Sequence, residues 1–135
     1  MNVIVCLDDK NGMRFNKRRQ SADRQLRSQM LLLVGEKPLW MNAYSASQFS
    51  EIPAAVRVDE EFLCHAEEQD YCFVEDNGWE RYADSVNDII VYRWNRVYPA
   101  DTRFPAEELA RRRLVSSVDF AGFSHDKITQ EVYRL

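Results

Sequence analysis

Short apolar runs alternate with polar, turn-forming segments along most of this chain. Asn2 to Leu7 is a continuous apolar run of strand length, the pattern of a strand buried on both faces. Asp8-Asp9-Lys10-Asn11-Gly12 follows as a turn signal with Asn-Gly at its tip. Met13 to Arg19 has neither period and reads as a surface loop. Ser21 is placed to cap a helix in which Ala22, Leu26, Met30 and Leu33 form one apolar face; Gly35 ends it and Pro38 prevents its resumption.

The alternation continues. Leu39 to Ala43 reads as a strand, Ser45 to Phe49 as one helical turn broken at Ile52-Pro53, and Ala55 to Val58 as a short strand. Asp59 caps a helix through Ala66, with Phe62, Leu63 and Ala66 inward. Tyr71 to Val74 is another inner strand, and a short helix carrying Trp79, Tyr82 and Val86 leads onward. Ile89 to Trp94 is rich in β-branched and aromatic residues and reads as the central strand, stopped at Tyr98-Pro99 because proline cannot donate to a ladder. A helical turn at Glu107 to Arg112 precedes two closing strands, Leu114 to Phe120 and Lys127 to Leu135, joined by Ala121 to Asp126.

Strands alternating with helices predict an α/β domain, three layers deep, with a mostly parallel central sheet and a C-terminal antiparallel hairpin. A chain of 135 residues with 45% hydrophobic and 30% charged residues fits one domain, residues 1–135, with a single core. No window approaches the run of about 18 apolar residues that a membrane span needs. The N-terminus reads as a strand rather than a signal peptide, so a cytoplasmic location is expected. Cys6, Cys64 and Cys72 are odd in number and show no CxxC spacing, which points to buried reduced thiols.

Charge is distributed unevenly around a net −4. Lys10 to Gln29 holds seven basic residues and one acid, Asp23, whereas Val58 to Glu80 holds nine acids and no Lys or Arg. A positive and a negative face are expected, each a solvated surface by default.

Several segments resemble the dihydrofolate reductase family, in order along nearly the whole chain. Asp101-Thr102-Arg103-Phe104-Pro105 resembles the family's D-T-x-F-P, and Gln130 to Arg134 its C-terminal strand. Val3 to Leu7 with Asp9 to Gly12 resembles the first strand and the loop covering the substrate. Ser21-Ala22-Asp23 resembles P-x-D, and Trp40-Met41 the I-M of the next strand. The resemblance implies the family's fold, Asp23 as the carboxylate that supports substrate protonation, and a substrate pocket at Cys6, Leu7, Arg27 and Tyr92. Such an acid needs burial to raise its pKa. Arg24 and Arg27 would favour its charged form, and an Asp in a first helical turn also serves the helix dipole.

The cofactor side departs from the family. Asn42-Ala43 stands where the family has G-R after I-M, and Glu75-Asp76 stands where a Gly-Gly pair meets the NADPH diphosphate. Carboxylates repel a diphosphate, and their Cβ atoms obstruct the approach that glycine permits. The substrate loop has Phe15-Asn16 in place of Pro-Trp, and the chain is shortened between Phe49 and Val56.

Other constellations carry less. His65 and His125 with Cys64 and Cys72 lack the spacing of a metal site, so no metal is expected. Ser124-His125-Asp126 is a turn rather than a triad, because triad members come from separate segments, so serine hydrolysis is not expected. Arg14 to Arg19, extended by Arg103 and Arg111 to Arg113, could contact phosphates or RNA, but a pI of about 5.2 argues against a nucleic-acid partner. Trp40, Trp79 and Trp94 read as core. The expectation is a diverged dihydrofolate reductase-like domain that binds a small ligand or a protein without a standard NADPH site. The alternative is an NADPH-dependent reductase of a pterin-like or pyrimidine-like substrate; oligomeric state is left open.

Overall fold

A computed structural model describes residues 1–135. Its strands are β1 (Asn2–Leu7), β2 (Gly12–Phe15), β3 (Arg18–Arg19), β4 (Leu39–Met41), β5 (Val56–Val58), β6 (Tyr71–Phe73), β7 (Ile89–Arg93), β8 (Thr102–Arg103), β9 (Arg113–Phe120) and β10 (Ile128–Arg134). The helices are α1 (Arg24–Val34), α2 (Ala43–Ala46), α3 (Phe62–His65) and α4 (Ala106–Ala110), with a 3₁₀ helix at Asn77–Ser85. The main sheet has the order β5-β4-β6-β1-β7-β10-β9. Its first five strands run parallel, and β10 pairs antiparallel with both β7 and β9. This is the expected α/β architecture.

β1 stands in the middle of that sheet, and β7, the strand expected there, lies beside it in the register Val3↔Ile89 to Leu7↔Arg93. The apolar run of β1 is continuous because the sheet is covered on both faces. Val3, Val5 and Leu7 point into one core with Trp79, Phe104 and Leu109; Ile4 points into the other with Leu26, Met30, Tyr92 and Trp94. Alternation along a strand divides one hydrophobic run between two cores. Trp79 stacks on Phe104 with ring centroids 4.9 Å apart, anchoring the Asp101–Pro105 segment to the first core.

Met13 to Arg19 is a hairpin, not the loop expected from its lack of period. β2 and β3 pair antiparallel, with Phe15 opposite Arg18. Asn16 and Lys17 at the tip both have positive φ, 55° and 63°, the geometry of a type I′ turn. β2 also pairs with β8, so a small second sheet, β3-β2-β8, hangs beside the first.

α1 begins later than the sequence suggested. Its cap is Asp23 rather than Ser21, with the carboxylate accepting from the N–H groups of Gln25 and Leu26. Its inward residues are Leu26, Met30 and Val34, while Ala22 is exposed. Gly35 ends the helix at φ 60°. α2 starts two residues before the expected helical turn because Asn42 caps it through Ser45 N–H. α3 is a single turn, and Asp59 accepts from Glu61 N–H just ahead of it. Cys64 is exposed, contrary to expectation, while Cys72 is buried. Arg112 does not extend a basic surface: it is buried and donates to the carbonyls of Val86 and Asn87. No helix is long and apolar enough to cross a membrane.

Candidate functional site

The residues singled out from sequence fall into two groups around the C-terminal ends of β1, β4, β6 and β7, where an open parallel sheet leaves its crevices. The first group follows β4 and β6. Glu75 leaves β6 and meets Arg19 of β3, whose Nε and Nη2 donate to the two carboxylate oxygens at 2.9 and 3.1 Å. Ser45 Oγ donates to the same carboxylate at 2.7 Å. Arg19 also donates to Tyr44 O and lies over the Tyr44 ring, 4.3 Å from its centroid. The next acid, Asp76, caps the 3₁₀ helix through Gly78 N–H and stands 3.5 Å from Arg14.

Asn42 spends its side chain capping α2, and the Ala43 N–H donates to Glu60 Oε2 at 2.8 Å. The basic and acidic blocks of the sequence therefore meet inside one chain. Cys6, on β1, sits near this group; burial raises its thiol pKa well above the ordinary value, Glu75 adds to the rise, and Arg19 opposes it. Its register partner on β7 is Tyr92, fully buried, whose hydroxyl donates to Gln130 Oε1 at 2.8 Å. Leu7 is buried in the other core, on the opposite face of β1 from Tyr92. Arg27 is half-buried in the first turn of α1.

The second group surrounds Asp23. Its Oδ1 accepts from Gln25 N–H, Leu26 N–H and Phe123 N–H, and its Oδ2 from Ser124 N–H, Ser124 Oγ and His125 Nδ1. Burial alone would raise its pKa, but the donors from Phe123, His125, Ser124 and Leu26 outweigh it and hold the carboxyl far below the usual range. The charged form is thus favoured chiefly by donors from the β9–β10 turn and from Leu26 of α1. Arg24 lies over the Phe123 ring at 3.8 Å. Gly122 makes the closeness possible, since a Cβ there would lie 2.8 Å from Asp23 Oδ2 and 2.6 Å from His125 O.

Beyond the imidazole, His125 Nε2 meets Ser21 Oγ at 2.9 Å and the Tyr98 hydroxyl at 3.2 Å. Trp94 stacks on the His125 ring with centroids 4.6 Å apart. No sequence signal joins His125 to Ser21, 104 residues earlier. Between β2–β3 and the Tyr98-Pro99 segment lies a cleft of about 610 Å³, lined by Phe15, Asn16, Arg18, Arg19, Gln20, Tyr98 and Pro99. Asp8 shapes one wall: its buried carboxylate accepts from Lys10 N–H, Gly12 N–H, Gln20 Nε2 and Tyr98 N–H. No group of three or more His, Cys, Asp or Glu side chains is placed to hold a metal ion.

No family model matches the chain, and no curated protein matches it in sequence. Among solved structures it is similar to a dihydrofolate reductase from Enterococcus faecalis, complexed with NADP(H) and RAB-propyl. The TM-score is 0.67 over 98% of this chain and 94% of that one. The fold is dihydrofolate reductase-like. At 11% identity the likeness carries the architecture alone.

Proposed function

We propose that this dihydrofolate reductase-like chain is a small-ligand-binding domain that does not use the family's NADPH site. One observation carries the reading. The resemblance implies cofactor phosphates at Asn42-Ala43 and Glu75-Asp76, and at both positions the chain's own carboxylates engage the local donors. Glu60 takes the Ala43 N–H, and Glu75 takes Ser45 Oγ and the Arg19 guanidinium. A diphosphate does not fit this residue set, because it would need to displace two carboxylates from the hydrogen bonds they accept.

The ligand site in this reading is the cleft beside Arg18. Arg18 offers an exposed guanidinium, Phe15 and Tyr98 offer ring surface, and Asn16 and Gln20 offer amides. That lining suits a small, planar, anionic molecule. The NADPH-dependent reductase reading draws on the similar reductase complexed with NADP(H). In it Asp23 would relay a proton, a role opposed by a carboxyl held so far below neutrality.

The test is a titration of the protein with NADPH, with folate and with uridine monophosphate, read by tryptophan fluorescence and thermal midpoint together. A site at 100-fold excess over Kd adds about 2.7 kcal/mol of stability. The expected result is a response to a planar anion that Arg18→Ala removes, and none to NADPH up to millimolar concentration. Saturable NADPH binding would bring the reductase reading forward.

A further inference from the structure

The hydrogen bonds that hold Asp23 also fix the chemistry of two other side chains. An ionised carboxylate can only accept, so the His125 nitrogen 2.8 Å from Asp23 Oδ2 must be the protonated Nδ1. In the neutral ring the lone pair then sits on Nε2, and Nε2 faces Ser21 Oγ at 2.9 Å. Ser21 is therefore the donor in that bond, a hydroxyl aimed at a base. The groups come from two segments: Ser21 and Asp23, two residues apart, from the entry to α1, and His125 from the β9–β10 turn. Exposure grades along them, with the Asp23 side chain at 0%, the His125 side chain at 6% and Ser21 half-buried. A sealed acid, an oriented base and a reachable hydroxyl are the order in which a nucleophilic relay works.

We infer that Ser21, His125 and Asp23 form a hydrolytic relay that accepts the acyl group of a small ester on Ser21 Oγ. Ser21 Oγ adds to the ester carbonyl carbon as its proton passes to His125 Nε2. The bond to the leaving alcohol or phenol breaks, and the leaving oxygen takes that proton. Water then adds to the acyl-serine, giving its proton to Nε2, and Ser21 Oγ departs with the proton returned. The sum is ester plus water to acid plus alcohol, with no other reactant. Asp23 stays ionised throughout and holds the ring's tautomer, while Trp94 covers one face of the imidazole. Tyr98 supplies the second requirement. Its hydroxyl is 3.2 Å from the same Nε2 and it lines the 610 Å³ cleft, so with Nε2 engaged by Ser21 its O–H is free to donate to the developing oxyanion.

The relay shares Tyr98 and its cleft with the proposed ligand site. It shares no residue with the Asn42-Ala43 and Glu75-Asp76 positions, so the loss of NADPH binding and the relay are tested separately. The full chain is treated with a biotinylated fluorophosphonate and, in parallel, with p-nitrophenyl acetate. The expected result is one covalent adduct, mapped by mass spectrometry to Ser21, and a stoichiometric burst of p-nitrophenol. Ser21→Ala should abolish the adduct and lower the burst rate by at least about 100-fold, while Ser28→Ala, on the exposed side of α1, should keep both. Tyr98→Phe should retain the adduct at a rate lower by roughly tenfold or more. Thermal midpoints of each variant establish that the fold is intact. Failure of the folded wild-type protein to form an adduct, or an adduct that survives Ser21→Ala, overturns the inference and leaves these contacts as architecture.

Discussion

Arg19 holds Glu75 by both prongs of its guanidinium, and each side chain is largely withdrawn from water, 20% and 11% exposed. The two residues stand 56 positions apart, in the basic and the acidic blocks of the chain. Their pairing converts an apparent two-faced charge distribution into an internal clamp between β3 and the end of β6. A partly buried, bidentate pair is worth more than a surface ion pair, and removing one partner strands the other. Glu75→Gln should therefore lower stability by about 1–3 kcal/mol in urea unfolding. Arg19→Met combined with Glu75→Gln should cost less than the sum of the two, a coupling of about 1 kcal/mol or more. Strict additivity would show that the two side chains act independently.

Asp23 makes stability depend on acid. Its folded pKa is depressed, so its contribution is complete above the ordinary carboxylate pKa of about 4 and is lost as pH falls from there toward the folded value. Asp8, lowered by N–H donors from Tyr98, Gly12 and Lys10 and by Gln20 against the cost of burial, acts in the same direction. Asp23→Asn should remove part of that acid dependence and cost about 2–4 kcal/mol at neutral pH, because an amide NH2 would face N–H donors. Urea midpoints of both proteins between pH 7 and pH 3 check this. Parallel curves would contradict it.

Gly122 is a packing requirement. A methyl group there would lie within 3 Å of Asp23 Oδ2 and His125 O, neither of which can move without breaking the turn. Gly122→Ala should destabilise the fold by about 1–3 kcal/mol. It should also raise amide exchange at Phe123 and Ser124, whose N–H groups donate to Asp23. Unchanged exchange at those two amides would mean that the turn is not braced in this way.

The three cysteines should separate in reactivity. Cys64 is exposed beside Tyr82, whereas burial pushes the Cys72 thiol up to about 12 and raises Cys6 as well. One thiol equivalent should react rapidly with an aromatic disulfide reagent in the native protein, the other two only on unfolding. Cys64→Ser should eliminate the fast phase.

Much of the architecture was legible because local chemistry and tertiary packing agree. β1 and β7 are written as apolar or β-branched runs, and Gly35 ends α1 where a positive φ is needed. The hairpin β2–β3 was not legible, since Asn16 and Lys17 are an uncommon pair for two successive positive φ angles and the segment shows no strand alternation. The position of β1 at the centre of the sheet was equally hidden, because β1 and β7 are both buried on two faces and only the pairing of β1 with β6 and β7 fixes their order.

The sequence by itself determined the class of fold and the alternation of its main-sheet strands with helices, which are properties of residue type and spacing. That Glu75 and Asp76 replace the glycines of a diphosphate site is an expectation from the family resemblance. Only the tertiary structure decided what the charged groups do. It closed Arg19 on Glu75, turned the Ala43 N–H toward Glu60, and laid the β9–β10 turn over α1 so that Ser21, His125 and Asp23 meet. The physical reason is reach: a hydrogen bond acts over about 3 Å, and chain separation carries no information about which side chains come that close until the sheet has set its strand order.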